Sequence, residues 1–429
     1  MPAVPADLVV SARWILPMTS RDALLEHHAL VVRDGRILAV LPAKTAAERY
    51  AATIHVDRPG HLLMPGLVNA RAQLVPDLAR PSRSDQSGDL GLLGIAAMLQ
   101  AGTSCFCETG AFPDETARLA TTQGMRAVIG IPLGESAGHP ARQPLDDLTL
   151  ALNFRDEFAG HPTLATAFAP LDAADISDAM FGRIAVLADE LDAGVLMSLH
   201  ESTSAVEQCV ARHGLRPIER LHALGILTPA LTAANVVHVN DQDMTLAQRS
   251  GIAITLCPES NLRCGFGAPP VAAWAQTGLR LSVGTGAAVP GAAVDLWGNL
   301  RLLALLDDPR NLSADVGDGA GGDADSVTAW SVLAAATRGG AAALGLEAEI
   351  GTIETGKWAD LCCVDLRRPA MVLSAASPAT RLVFGGGRDN VSDVWVAGRH
   401  LLNDGAFTRL DWPALAARIA ARRMTMTGE

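Results

Sequence analysis

The chain has 429 residues, 49% of them hydrophobic, 19% charged and 4% aromatic. That length suits a barrel of about 250 residues plus an accessory domain, and the composition excludes disorder. A net charge of −12 argues against nucleic acid or a membrane surface as partner, because both require clustered Lys and Arg to replace counterions.

Cys105, Cys107, Cys209, Cys257, Cys264, Cys362 and Cys363 show no paired framework and no C-x-x-C, so they read as reduced, buried thiols. Cys105-Phe106-Cys107 puts two thiols on one strand face, which is plainer as packing than as a metal site. The N-terminus lacks a basic region followed by an apolar one, and no apolar run reaches the roughly 18 residues of a membrane span. A cytoplasmic protein is expected.

In chain order, residues 8–12 and 29–32 alternate, and Asp34-Gly35 before residues 36–40 signals a hairpin. Residues 62–74, Leu-Leu-Met-Pro-Gly-Leu-Val-Asn-Ala-Arg-Ala-Gln-Leu, read as a buried strand that turns polar where a barrel's first strand reaches its mouth. A helix is predicted over 90–101, with Arg83, Asp85 and Asp89 as solvent-facing charges. The clearest helix spans 177–193, with Met180, Ile184, Leu187 and Leu191 on one stripe, Ser177 as N-cap and Gly194 as its stop. After a strand at 195–200, Ser204 and Glu207 have the spacing of a capping box for a helix closing near Gly214. Strand-like runs recur at 231–239, 252–256 and 279–283, and a helix follows at 294–306. Residues 315–325, rich in Gly and Asp, read as a surface loop. This β-then-α rhythm predicts an α/β fold of the (β/α)8 kind.

Five segments carry a resemblance: residues 62–74; Ser198-Leu199-His200-Glu201; Ala234-Asn235-Val236-Val237-His238-Val239-Asn240-Asp241-Gln242-Asp243; Gly284-Thr285-Gly286-Ala287; and residues 351–361, Gly-Thr-Ile-Glu-Thr-Gly-Lys-Trp-Ala-Asp-Leu. Together they resemble the amidohydrolase superfamily, in its S-adenosylhomocysteine/methylthioadenosine deaminase and triazine hydrolase (TRZ/ATZ) branch. The resemblance implies a (β/α)8 TIM-type barrel over 61–345, a small β-sandwich built from both termini (1–60 plus 346–410), and a C-terminal helix at 411–429. It also implies Zn2+ or a similar ion at the barrel mouth. Such an ion is held by His-x-His on the first strand, a His on the fifth, usually another on the sixth, and an Asp on the eighth, and it activates water for hydrolytic removal of an amine or halide. In this sequence those positions read Arg71 and Gln73, Ser198, Asn235 and Gly286. The fourth-strand loop whose His contacts substrate reads Pro170-Leu171-Asp172-Ala173-Ala174-Asp175, and the lid segment between Gln73 and Gly102 is shortened. Glu201 stands at the family's general acid/base position.

These replacements predict a barrel that has lost its catalytic metal, carries no cofactor, and serves as a pseudoenzyme in a structural or ligand-binding role. Arg71 brings positive charge where a cation would sit, and pairing of Glu201 with Arg71 across the mouth is predicted. The alternative is a hydrolase of C–N bonds with a rebuilt or metal-free site around Glu201, because a buried carboxylate of raised pKa is a competent base. His200, His238, Asp172, Asp175, Glu259 and Asn261 are its candidate pocket residues. The plainer reading of His200 and His238 is as satisfied core or rim histidines, and of Pro258-Glu259-Ser260-Asn261 as a rigid turn. A small-molecule ligand, a homodimer formed through the outer helices, or support of an active paralogue are the expected associations.

Overall fold

The computed structural model describes residues 3–21, 23–74, 84–110, 112–134, 144–287, 294–306, 328–372 and 377–427. Its strands along the chain are β1 (Val4–Ile15), β2 (Leu25–Glu26), β3 (His28–Arg33), β4 (Arg36–Pro42), β5 (Tyr50–Pro65), β6 (Leu67–Ala72), β7 (Thr103–Glu108), β8 (Arg126–Leu133) and β9 (Leu164–Pro170). They continue with β10 (Gly194–Leu199), β11 (Leu231–Asn235), β12 (Ala253–Leu256), β13 (Arg280–Val283), β14 (Leu361–Asp365), β15 (Val391–Val396), β16 (Arg399–Asn403) and β17 (Ala406–Phe407).

Strands from the two ends of the chain make one mixed sheet, in the order β17-β16-β15-β14-β5-β1-β3-β4, with β2 on β1. Alternation along β1 decides which side chains face which core: Leu8 and Val10 pack with Leu30, Ile37, Leu63 and Trp395, while Val9 packs with Ala29, Val31 and the short helix Ala43–Arg49. The Asp34-Gly35 hairpin forms as predicted, both residues having left-handed φ of +53° and +75°.

The second sheet is eight parallel strands taken in sequence order, β6 through β13, with helices between them. Both faces of a parallel sheet are covered, so its strands are buried on both sides; every residue of β7 is buried. The 62–74 run divides at Gly66: its first part ends β5, where Leu63 pairs with Cys363, and only Leu67 onward enters the barrel. A Cβ at Gly66 would lie 2.2 Å from Ser104 Oγ, so glycine is what lets the chain step from one sheet to the other. Bonds across the seam between β6 and β13 bring the two ends of the barrel sheet together. Gly286 N donates to Arg71 O (2.9 Å), Thr285 N to Asn69 Oδ1 (3.0 Å) and Asn69 Nδ2 to Thr285 Oγ1 (2.9 Å).

Between the two bodies, Arg126 at the start of β8 donates through Nε (2.7 Å) and Nη2 (3.1 Å) to buried Asp360, whose Oδ1 also accepts from Ala397 N (2.8 Å). The barrel and the terminal sheet are thus joined by a desolvated, bidentate pair.

Several local expectations are corrected. The helix capped by Ser177, whose Oγ accepts from Met180 N (3.3 Å), ends at Glu190; Asp192 then takes a left-handed turn and Gly194 already begins β10. The next helix, Thr203–His213, is capped by Ser202 rather than Ser204. Extended φ and ψ at Ser202 let its Oγ accept from Ala205 N (3.1 Å), and Ser204 falls within the first turn. Gly214 closes it in the left-handed conformation. The helix predicted from residue 90 begins earlier, Ser84–Gln100, and Asp89 is buried rather than solvent-facing, meeting Arg418 of the C-terminal helix Trp412–Thr427 at 3.0 Å. Arg83, the side chain of Asp85 and residues 315–325 lie outside the described residues. Six of the seven thiols are buried, and Cys264 is exposed. No helix of the described residues is long and apolar enough to cross a membrane.

Candidate active site

Parallel strands in sequence order bring residues far apart in the chain to one end of the barrel, where β6, β10, β11 and β13 deliver Arg71, Ser198, Asn235 and Gly286. Arg71 is half-buried and donates from Nη2 to Ser198 Oγ at 3.4 Å, a long contact. Ser198 Oγ also accepts from Asn235 Nδ2 (3.1 Å), and the same amide donates to Glu201 Oε2 (3.1 Å). Arg71 and Glu201 form no ion pair, which corrects the expected bridge across the mouth: Ser198 and Asn235 take up the contacts it would have made.

Glu201 follows β10 and is half-buried. Burial pushes its carboxyl above the usual range; the charge of Arg71 and the hydrogen bonds from Asn235 and Ser198 pull the other way, and Asp172 adds repulsion. Asn235 itself is buried, in the left-handed region (φ +72°) that Asn tolerates. Its Oδ1 has no hydrogen-bond partner among the described residues.

Beyond β13 the chain turns at Gly286 with φ +72°. A Cβ there would lie 2.5 Å from Ser260 Cβ, 2.7 Å from Ser260 Oγ and 3.1 Å from Cys257 Cβ. Ser260 is held in place, since its Oγ accepts from Ala287 N at 3.1 Å. Burial pushes the thiols of Cys257 and Cys107 up to about 12, against the opposing charge of Arg71 in both cases. The guanidinium thus bonds Ser198, while its charge is felt at Glu201 and at two neutral thiols.

The remaining candidates are mostly held by the scaffold. His200 is buried; its Nε2 accepts from Ile218 N (3.1 Å), so the proton sits on Nδ1 and is directed at His238 O (3.1 Å). Burial lowers its pKa, which favours the neutral ring, and both nitrogens are engaged by the backbone. His238 Nε2 meets Phe266 O at 2.7 Å. Asp172 Oδ1 accepts from Ala174 N (2.5 Å), closing a turn after β9, and Asp175 pairs with Arg212. Glu259 pairs with Arg263 (3.0 Å), and buried Asn261 reaches Asn235 O (3.5 Å). Gln73 is half-buried beside Gly110, whose Cβ would meet Gln73 Cγ at 3.9 Å.

Glu108, at the end of β7, escaped the reading of the sequence. It is buried, and its two oxygens accept from Leu74 N and Gly110 N, both at 2.7 Å, anchoring the turn out of β6. An acid closing a strand of otherwise uncharged residues just before Thr109-Gly110 is the signal that could have found it. Asn69 was likewise legible, as a lone amide in an apolar strand.

Among the described residues, no group of three or more His, Cys, Asp or Glu side chains is placed to hold a metal ion. The amidohydrolase family profile matches residues 62–401. The 5-methylthioadenosine/S-adenosylhomocysteine deaminase of Teredinibacter turnerae is 31% identical over 97% of both chains. That of Saccharophagus degradans is 30% identical over 97% of this chain and 96% of its own. Among solved structures, an adenosine deaminase from Xanthomonas campestris with bound zinc superposes with a TM-score of 0.90, at 32% identity and full coverage of both chains. The zinc complex of atrazine chlorohydrolase TrzN from Arthrobacter aurescens TC1 shares the fold, with a TM-score of 0.83 at 21% identity over 96% and 99% of the two chains. This chain belongs to the amidohydrolase family.

Proposed function

We propose that this chain is a retired member of the deaminase branch, a barrel that keeps the architecture of its relatives and binds a small ligand at its mouth without a catalytic metal. One observation carries the reading. At the position of the family's eighth-strand aspartate stands Gly286, and Ser260 occupies the space that any side chain there would need. The other positions agree with it. Arg71 is cationic, Ser198 and Asn235 offer neutral groups already bonded to one another, and a divalent ion would meet charge repulsion instead of a ligand cage. The residues present do not fit the metal, so no catalytic step is routed through one. Purified protein preincubated with zinc is expected to release no ammonia from S-adenosylhomocysteine, 5-methylthioadenosine or adenosine; turnover of any of them that disappears with a chelator would overturn the reading.

A second reading keeps hydrolysis and dispenses with the metal, and it is favoured by the burial that raises the pKa of Glu201. It requires chelator-resistant turnover that Glu201→Gln abolishes.

A further inference from the structure

Among the described residues, the guanidinium of Arg71 has no carboxylate partner. Its hydrogen bond is the single long one to Ser198 Oγ, although a guanidinium offers five donors in a planar fork. Being half-buried, it is reachable from the mouth while partly withdrawn from water, the setting in which a charge-assisted pair is worth more than at an open surface. Glu201, half-buried, feels the charge of Arg71 without forming an ion pair with it, and half-buried Asp172 lies near enough to Glu201 to repel it. Asn235 bonds both Ser198 and Glu201 through its Nδ2, and its buried Oδ1 is an acceptor with no donor among the described residues. A polar atom so placed costs stability until something donates to it.

We propose that the barrel mouth is a receptor for a small zwitterion, an amino carboxylate whose carboxylate takes the free fork of Arg71 and whose ammonium faces Asn235 Oδ1 and Glu201. The charges favour this class over its neighbours. A phosphate would bring a second negative charge toward Glu201 and Asp172, and a simple amine would leave Arg71 without a counterion. An amino carboxylate answers both ends at once. The inference rests on the metal-free mouth argued above, because a zinc ion coordinated there would occupy the same space.

The test is calorimetric titration of the full chain with glycine, β-alanine and 4-aminobutyrate, which step the charge separation, alongside acetate and ethylamine as single-charge controls. At least one amino carboxylate is expected to bind more tightly than both controls. Arg71→Gln should weaken that binding by about ten- to hundredfold, the range for losing a charge-assisted hydrogen bond, and Arg71→Lys should retain part of it. Glu201→Gln should weaken the amino carboxylate and leave acetate unchanged. Thermal melts of the unliganded variants report whether each is folded, and Arg71→Lys keeps the charge argument open to refutation if Arg71→Gln is not. Binding of acetate as tight as the best amino carboxylate, indifference to both Arg71 variants, or no heat from any of the three would overturn the proposal. Zinc content measured on the same preparation separates the two failures: a zinc-bearing protein refutes the metal-free reading, whereas a zinc-free protein that binds no amino carboxylate refutes this inference alone.

Discussion

Gly286→Ala tests whether the mouth still has room for a ligating side chain. The backbone at Gly286 has φ +72°, and an L-residue in that left-handed region costs about 1–2 kcal/mol. The new methyl would also stand 2.5 Å from Ser260 Cβ, closer than real Cβ contacts come, and 3.1 Å from Cys257 Cβ, tighter than most. Neither neighbour yields easily: Ser260 is 4% exposed with its Oγ bonded to Ala287 N, and Cys257 is fully buried. Overpacking of this kind costs about 1–3 kcal/mol, so the two effects together predict a loss of about 2–5 kcal/mol. Ser260→Gly removes the closest obstruction, and in that background the same substitution should cost only the backbone share, about 1–2 kcal/mol. Urea unfolding of the four proteins reads both numbers from midpoints at constant slope. A Gly286→Ala loss below about 0.5 kcal/mol, within the range of ordinary surface changes, would refute the reasoning and show that an aspartate could be restored there.

Three other outcomes follow from the same contacts. Arg126→Ala leaves Asp360 buried and unpaired between barrel and terminal sheet, and a loss of about 3–5 kcal/mol in denaturant unfolding is expected. Burial would raise the pKa of Asp393, but His400 (3.0 Å), Arg58 (2.7 Å) and Ser392 (2.6 Å) hold it well below the usual carboxylate range. Its stabilisation is therefore complete above the unfolded-state value of about 3.9 and is lost as pH falls through the folded-state value. Asp393→Asn should accordingly lower the melting temperature at pH 7 and narrow its gap to the parent protein in acid. Glu201 has the opposite sign: its folded pKa is raised by burial, so ionisation weakens the fold as pH climbs above the unfolded value of about 4.3. Glu201→Gln should melt above the parent at pH 8 and converge with it in acid; a less stable variant at pH 8 would contradict the burial argument.

The scaffold was legible because its signals are local or periodic. Continuous apolar runs separated by amphipathic helices required parallel strands covered on both faces, and Asp34-Gly35 could only be a tight hairpin. Ser177 and Gly214 marked helix ends through chemistry confined to a single turn. What stayed hidden depends on contacts between distant segments. The Ser-x-x-Glu spacing favours Ser204 over Ser202, and only the extended backbone at Ser202 selects the cap. The break at Gly66 is set by Ser104, 38 residues on, and the burial of Asp89 by Arg418 of the last helix. At the mouth, each residue identity was readable, but not the arrangement. Nothing in the order of residues shows that Asn235 bonds both Ser198 and Glu201, that Arg71 has no carboxylate partner among the described residues, or that Ser260 fills the space over Gly286.

The central claim is that no divalent ion is held among Arg71, Gln73, Ser198, Asn235 and Gly286. Elemental mass spectrometry of the full chain, saturated with zinc and then dialysed without chelator, tests it most directly. The account predicts zinc far below one ion per chain, with the melting temperature unmoved by the treatment. Retention of one zinc ion per chain, removable by a chelator with a matching fall in melting temperature, would contradict it.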